Sequence, residues 1–282
     1  MPNPPESYEV RPMTRKELDT AARWAKQEGW NPGVHDAECF FKTDPAGYFA
    51  GFVDGEMVAS ISAVSYGEDF GFIGFYIVKP EYRGQGCGIR VWNAAMEHLG
   101  GRNIGLDGVL AEEKTYEKSG FKTAYHNIRF EGVGGGFRPG SVEPLGAFSL
   151  DEILEYDSRF FPVRREGFLK AWLAMPNIFA YGLRSNNALA GYGVVRSCSS
   201  GYKIGPLFAD DANTAEEIFR ALVAHTPNGP FFLDVPDVNQ EAMNLAKRRR
   251  MAPSFETVRM YTQNAPDIKL SGVFGVTSFE LG

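Results

Sequence analysis

Two hydrophobic periods alternate along this chain, and the switches between them mark its elements. Tyr8 to Pro12 alternates apolar and polar residues as a half-buried strand does. Thr14-x-x-Glu17 then forms a capping box for a helix with Leu18, Ala21, Ala22 and Ala25 on one face. Tyr48 to Val53 and Met57 to Val64 flank Asp54-Gly55-Glu56, a hairpin built on a turn-forming Asp-Gly. Gly71 to Val78 is a continuous apolar run, as expected of a buried strand. It breaks at Pro80, passes through Arg83-Gly84-Gln85-Gly86-Cys87-Gly88 and enters a helix carrying Ile89, Trp92, Met96 and Leu99. A strand over Asn103 to Asp107, a short helix closed by Gly120, and a further strand complete this half.

The pattern then repeats. Phe49-Ala-Gly-Phe-Val-Asp-Gly-Glu-Met-Val-Ala parallels Phe179-Ala-Tyr-Gly-Leu-Arg-Ser-Asn-Asn-Ala-Leu-Ala as strand, polar turn and strand. Ile73-Gly-Phe-Tyr-Ile-Val parallels Ile204-Gly-Pro-Leu-Phe-Ala at nearly the same offset. A helix over Ala215 to Ala224, a strand over Phe231 to Val235 and a helix from Asn239 follow. Between the halves runs a glycine-rich stretch with few large apolar residues, the best domain boundary in the chain. The expected organisation is an α/β, mixed-sheet fold in two tandem copies: residues 1–133, a Gly-rich linker 134–145, and 146–282. Little chain separates Phe121 from the glycine run, so Val273 to Leu281 is expected to complete a sheet, with the first half's sheet as the candidate.

Composition narrows the function classes. The chain has 282 residues, enough for two cores, and 44% hydrophobic with 23% charged residues is ordinary for a globular protein. No apolar run nears the roughly 20 residues of a membrane span, and Met1-Pro-Asn-Pro-Pro lacks the basic start of a signal peptide. Cys39, Cys87 and Cys198 are odd in number and far apart, which suits a reducing cytoplasm and gives neither a disulfide framework nor zinc spacing. The four histidines are scattered, so no metal site is expected. A net charge of −6 argues against nucleic acid as the main partner. Lys247-Arg248-Arg249-Arg250 reads most simply as a helix C-terminus complementing its dipole.

The glycine-rich turn carries the chemistry. Between a strand and a helix N-terminus, glycines let the backbone approach a ligand closely, successive N–H groups converge, and the helix dipole favours an anion. A P-loop would need Lys-Ser or Lys-Thr after Gly88, and a dinucleotide fingerprint would need glycine or alanine where Ile89 and Val91 stand. What remains, Arg83-x-x-Gly86-x-Gly88, resembles the acyl-CoA loop of GNAT superfamily N-acetyltransferases. Tyr116-Glu117-Lys118-Ser119-Gly120-Phe121 resembles the Tyr-x-Lys-x-Gly-Phe ending of the next helix in these enzymes. Many relatives have Asn and Ala where this chain has Val109 and Glu112.

The resemblance spans about residues 8 to 130. It implies that residues Arg83, Gly84, Gln85, Gly86, Cys87, Gly88 and Ile89 hold the pyrophosphate of acetyl-CoA, and that Tyr76, Ile77 and Val78 pair with its pantetheine arm. It also implies that the Tyr116 hydroxyl faces the thioester sulfur. A phenol with pKa about 10 can donate a proton to a thiolate with pKa about 8.5; packing on the sheet is the alternative use of this ring. The second copy keeps Asn239-x-x-Ala242 but has Asp210-Asp211-Ala212-Asn213-Thr214 in place of the glycine loop, so it is expected not to bind CoA.

The expected activity is acetyl transfer to a small-molecule amine or amino acid, with acetyl-CoA as the one cosubstrate and a monomer or homodimer as the working state. A non-catalytic acyl-CoA sensor is the alternative. The loop Glu28 to Asp36 offers Trp30, Asn31, His35 and Asp36 for the acceptor, or else is a Gly/Pro loop with a core tryptophan. For a general base, Asp107, Glu112, Glu113, Asp36 and His35 all stay open.

Overall fold

Thr14 caps the first long helix as its spacing requires, its hydroxyl accepting from the Glu17 amide while the Glu17 carboxylate accepts from the Thr14 amide. The computed structural model describes residues 4–227 and 229–282; the opening Met1-Pro2-Asn3 lies outside them. The first half runs β1 (Glu9–Pro12), α1 (Arg15–Gln27), α2 (Asp36–Thr43), β2 (Tyr48–Val53), β3 (Glu56–Tyr66), β4 (Phe70–Val78), α3 (Cys87–His98), β5 (Asn103–Val109), α4 (Glu113–Lys118) and β6 (Lys122–Val133). The second half runs β7 (Glu143–Pro144), α5 (Leu150–Asp157), α6 (Glu166–Leu173), β8 (Ile178–Ser185), β9 (Ala188–Ser197), β10 (Tyr202–Ala209), α7 (Ala212–Val223), β11 (Pro230–Pro236), α8 (Gln240–Arg248), β12 (Ala252–Tyr261) and β13 (Val273–Gly275). The two hairpin turns correspond: Asp54 and Gly55 at φ 50° and 81°, Asn186 and Asn187 at φ 50° and 64°, so all four are left-handed as a tight hairpin demands.

One 13-stranded sheet runs through both halves in the order β1-β2-β3-β4-β5-β12-β6-β11-β10-β9-β8-β7, with β13 on β10. The halves exchange strands. β12, from the second half, lies between β5 and β6, and β6 pairs on its other side with β11. Val258 and Met260 of β12 are fully buried with Trp92, Tyr116 and Phe121 of the first half. The aromatic core is likewise shared, with Phe40 of α2 stacked on Trp172 of α6 at 6.3 Å between ring centroids.

The strand exchange corrects the expectation for the C-terminus. β12 fills the slot in the first half's sheet, and β13 goes to the second half. There β10 and β11 pair in parallel only over Tyr202–Ile204 and Phe231–Leu233, then diverge. β13 enters that opening, pairing Gly275 with Leu207, and Val276 N–H donates to Asp234 O at 2.9 Å. Asn239 steadies it, its amide donating to Val273 O at 2.9 Å. The tail then crosses to the first half through glycine gaps: a Cβ on Gly205 would lie 2.5 Å from Thr277 O, and one on Gly74 2.3 Å from Glu280 O.

Lys247 and Arg248 occupy the last turn of α8, in keeping with the dipole reading, and both Arg248 and Arg249 pair with Glu216 of α7. No described helix is long and apolar enough to cross a membrane.

Candidate functional site

Among the described residues no strand enters the corresponding opening in the first half. β4 and β5 pair in parallel over Phe70–Ile73 and Asn103–Leu106 and then splay. The splay is set by Phe75, which takes φ 46°, a rare conformation for an aromatic residue, where the β3–β4 register breaks. Ser60 Oγ holds the bulge by donating to Phe75 O at 2.8 Å. A cleft of about 600 Å³ results.

At one end lies the glycine turn. Gly84 and Gly86 adopt φ 75° and 81°, so both need the left-handed conformation that glycine supplies. Gly86 caps α3 with no side chain to satisfy the helix N–H groups, and among the described residues no oxygen acceptor meets the N–H groups from Gly84 through Ile89. Gly88 permits close contact with β4, since a Cβ there would lie 2.6 Å from the Tyr76 hydroxyl. Arg83 is held by donating to Val78 O and to the Glu28 carboxylate. Tyr76, Ile77, Val78, Arg83, Gly84, Gly86, Gly88 and Ile89 all line the cleft. Gln85 does not, its amide being bonded to Glu81 O. Cys87 is buried beneath the turn, its carbonyl accepting from Tyr8 at 2.7 Å.

Tyr116 reaches the cleft from α4. Its ring stacks on Trp92 at 5.8 Å and packs against Gly108, where a Cβ would fall 2.4 Å from the ring. Burial, with Tyr76 and Glu112 adding, pushes its pKa above the ordinary phenol value, so it stays a proton donor at neutral pH. Burial likewise pushes Tyr76 up to about 12.

The acceptor loop divides. Trp30 lines the cleft, whereas Asn31, His35 and Asp36 do not. Asn31 makes a two-point bond to the Ser200 backbone, tying the loop to the second half. His35 is the residue before α2. Asp36 is the counter-ion of buried Arg196, at 2.9 and 3.2 Å, and also accepts from Gly33 N–H. Removing that carboxylate would leave a guanidinium buried and unpaired, which gives Asp36 a structural use.

The other acidic candidates are mostly occupied too. The buried Asp107 carboxylate is bonded by Arg259 at two points and by Asn127 at 2.8 Å. Glu113 accepts from Thr123, and Glu112 is exposed at the cleft rim. The missing walls come from elsewhere in the chain: Phe255 and Thr257 of β12, and Phe279 and Glu280 of the tail. Nothing local in the sequence marks them, because strand exchange alone brings them here.

In the second half both features that make this cleft are cancelled. Asp211 caps α7, its carboxylate accepting from the Asn213 and Thr214 amides at 2.9 Å, while Asp210 is held by Arg159 and Lys269. β13 fills the splay.

Family models agree with the doubled architecture: one described as acetyltransferase (GNAT) family matches residues 13–121, and one described as acetyltransferase (GNAT) domain matches 153–275. The holothin acyltransferase of Pseudoalteromonas sp. (strain SANK 73390) is 30% identical over 280 residues, 98% of this chain and 95% of that one. The chain belongs to the GNAT acetyltransferase family. Among solved GNAT-like structures, a putative acetyltransferase from Pyrococcus horikoshii superposes with TM-score 0.85 at 22% identity, covering 98% of this chain and 96% of its own. A tandem GNAT protein from the clavulanic acid biosynthesis pathway gives 0.63 at 12% identity, covering 92% and 99%. Both superpositions extend over the two halves of this chain, so the likeness is one of fold across its length.

Proposed function

We propose that this acyltransferase uses acetyl-CoA to acetylate a small-molecule amine, by direct attack, at one site per chain in the first half. The observation that supports this reading is the gathering around one cleft of Gly84, Gly86, Gly88 and Ile89 of the turn, the edge of β4 beyond its pairing with β5, and Tyr116. The N–H groups and the α3 dipole suit a pyrophosphate. The free edge at Tyr76 to Val78 suits the amides of an extended pantetheine arm. Backbone N–H groups at the bulge suit the oxyanion of a tetrahedral intermediate. Tyr116, kept protonated by burial, suits a departing thiolate.

Calorimetric titration with acetyl-CoA, followed by thiol release across an amine panel, tests the reading. One bound equivalent per chain and amine-dependent thiol release are expected. Two equivalents would overturn the one-site claim. Binding without turnover on any amine would favour an acyl-CoA sensor, and no binding would end both readings.

A further inference from the structure

The tail after β13 supplies part of the cleft wall through Phe279 and Glu280. Glu280 lines the cleft and is only 3% exposed, and its buried Oε2 has no hydrogen-bond partner among the described residues. A buried carboxylate oxygen without a donor is costly and calls for an explanation. Disorder is not one, for the tail is pinned on both sides. Tyr66 donates to Leu281 O at 3.0 Å, Arg165 bonds Thr277 Oγ1 at 2.9 Å, and the Glu280 carbonyl rests on Gly74.

Nor do the surrounding cations claim it. Arg129 of β6, Arg196 of β9 and Lys203 of β10 all lie within electrostatic reach of Glu280. Arg129 gives its fork to Asp234 at 2.6 and 2.8 Å, and Arg196 gives its own to Asp36. Lys203 points at Trp30 O, 3.5 Å away. Three basic side chains thus face three acidic ones, and Asp234 and Asp36 take up the forks of the two arginines. The hydrogen-bonding capacity of Glu280 is left over, beside the aromatic walls Trp30, Phe255 and Phe279.

We propose that the Glu280 carboxylate receives the attacking nitrogen of the acceptor and takes its proton, and that the acceptor is a primary amine on a small, flat, apolar body. This deepens the acetyl-transfer reading and rests on it. An ammonium acceptor brings three protons. One passes to Glu280, freeing the lone pair; the nitrogen then bonds the thioester carbon and the C–S bond breaks. A second proton reaches the departing sulfur through Tyr116, the third stays on the amide, and Glu280 returns its proton to solvent. The net products are amide, free thiol and one released proton.

The test compares the whole chain with Glu280→Gln, using acetyl-CoA with benzylamine, phenethylamine and aniline as flat probes and putrescine and glycine as contrasts. The variant should lose about 10²–10⁴-fold in kcat/KM for the amine, as for a missing general base, and lose the acid limb of the pH profile. Its acetyl-CoA affinity should stay within about twofold, since no cofactor contact has been removed. Glu280→Asp should recover part of the rate, and a wild-type rate from Glu280→Asp would overturn the proposal even if Glu280→Gln did not fold. An unchanged pH profile in Glu280→Gln, or acetyl-CoA binding lost in parallel with turnover, would also overturn it. A wild type that acetylates only the contrast amines would refute the acceptor class, whereas one that binds no acetyl-CoA would refute the acetyl-transfer reading itself.

Discussion

Arg259 stands directly opposite Asp107 across β12 and β5 and grips its carboxylate at 2.7 and 2.6 Å. Arg129 does the same to Asp234 across β6 and β11, in the related place of the other half. Each pair joins a strand of one half to a strand of the other, so strand exchange is fastened twice by the same buried device. Replacing Arg259 with Met should cost about 3–5 kcal/mol, because the partner carboxylate is left buried and unpaired. Urea unfolding measures this; a loss under about 1 kcal/mol would mean that the pair is dispensable.

Gly108→Ala is expected to act on Tyr116. The new Cβ would sit 2.4 Å from a ring already clamped by Trp92, so the ring must move. Overpacking of this kind costs about 1–3 kcal/mol. Turnover should fall while acetyl-CoA affinity is largely kept, and a full-rate variant would show that Tyr116 can shift without consequence.

Tyr116→Phe removes the hydroxyl and keeps the ring. If the hydroxyl protonates the leaving thiolate, kcat should fall by about 10²-fold or more with little change in acetyl-CoA binding. Equal loss in both would assign Tyr116 to binding.

Phe274→Ala tests the inserted strand. Phe274 is 1% exposed and packs into the second half's core, so about 3–5 kcal/mol should be lost. Thermal unfolding reads the change. An unchanged melt would mean that β13 adds nothing to the fold.

Glu17 supplies a pH signature. The Arg11 fork and the Thr14 cap hold its carboxyl down at about 2, against an ordinary 4.5. A depressed carboxylate stabilises the fold above its unfolded value and loses that contribution as pH falls through the folded one. Glu17→Gln should therefore flatten the stability curve between about pH 4.5 and pH 2. Exposure to solvent keeps the effect small.

What was legible in the sequence was local. The Arg83 to Gly88 turn, the Tyr116 helix ended by Gly120 and the Asp54-Gly55 hairpin are each fixed by neighbours a few residues away, and the structure keeps all three elements. The repeat was legible too, because Ile73-Gly74 and Ile204-Gly205 preserve one pattern. Partners across the chain were not. That Asp36 serves Arg196 depends on a contact 160 residues away, and β12 looks like any strand until its register with β5 is known. Glu280 carries no motif at all; only the path of the tail over Gly205 and Gly74 gives it a place.

That path makes the second half a cast of the first. β13 is an extended amide-bearing chain, laid in the fork of β10 and β11, bonded edge to edge and met by the Asn239 side chain. Evolution has left in one fork a peptide occupying the room that the other fork keeps open. The molecule thus carries, in its own β13, an example of an extended chain held edge to edge in a fork of parallel strands.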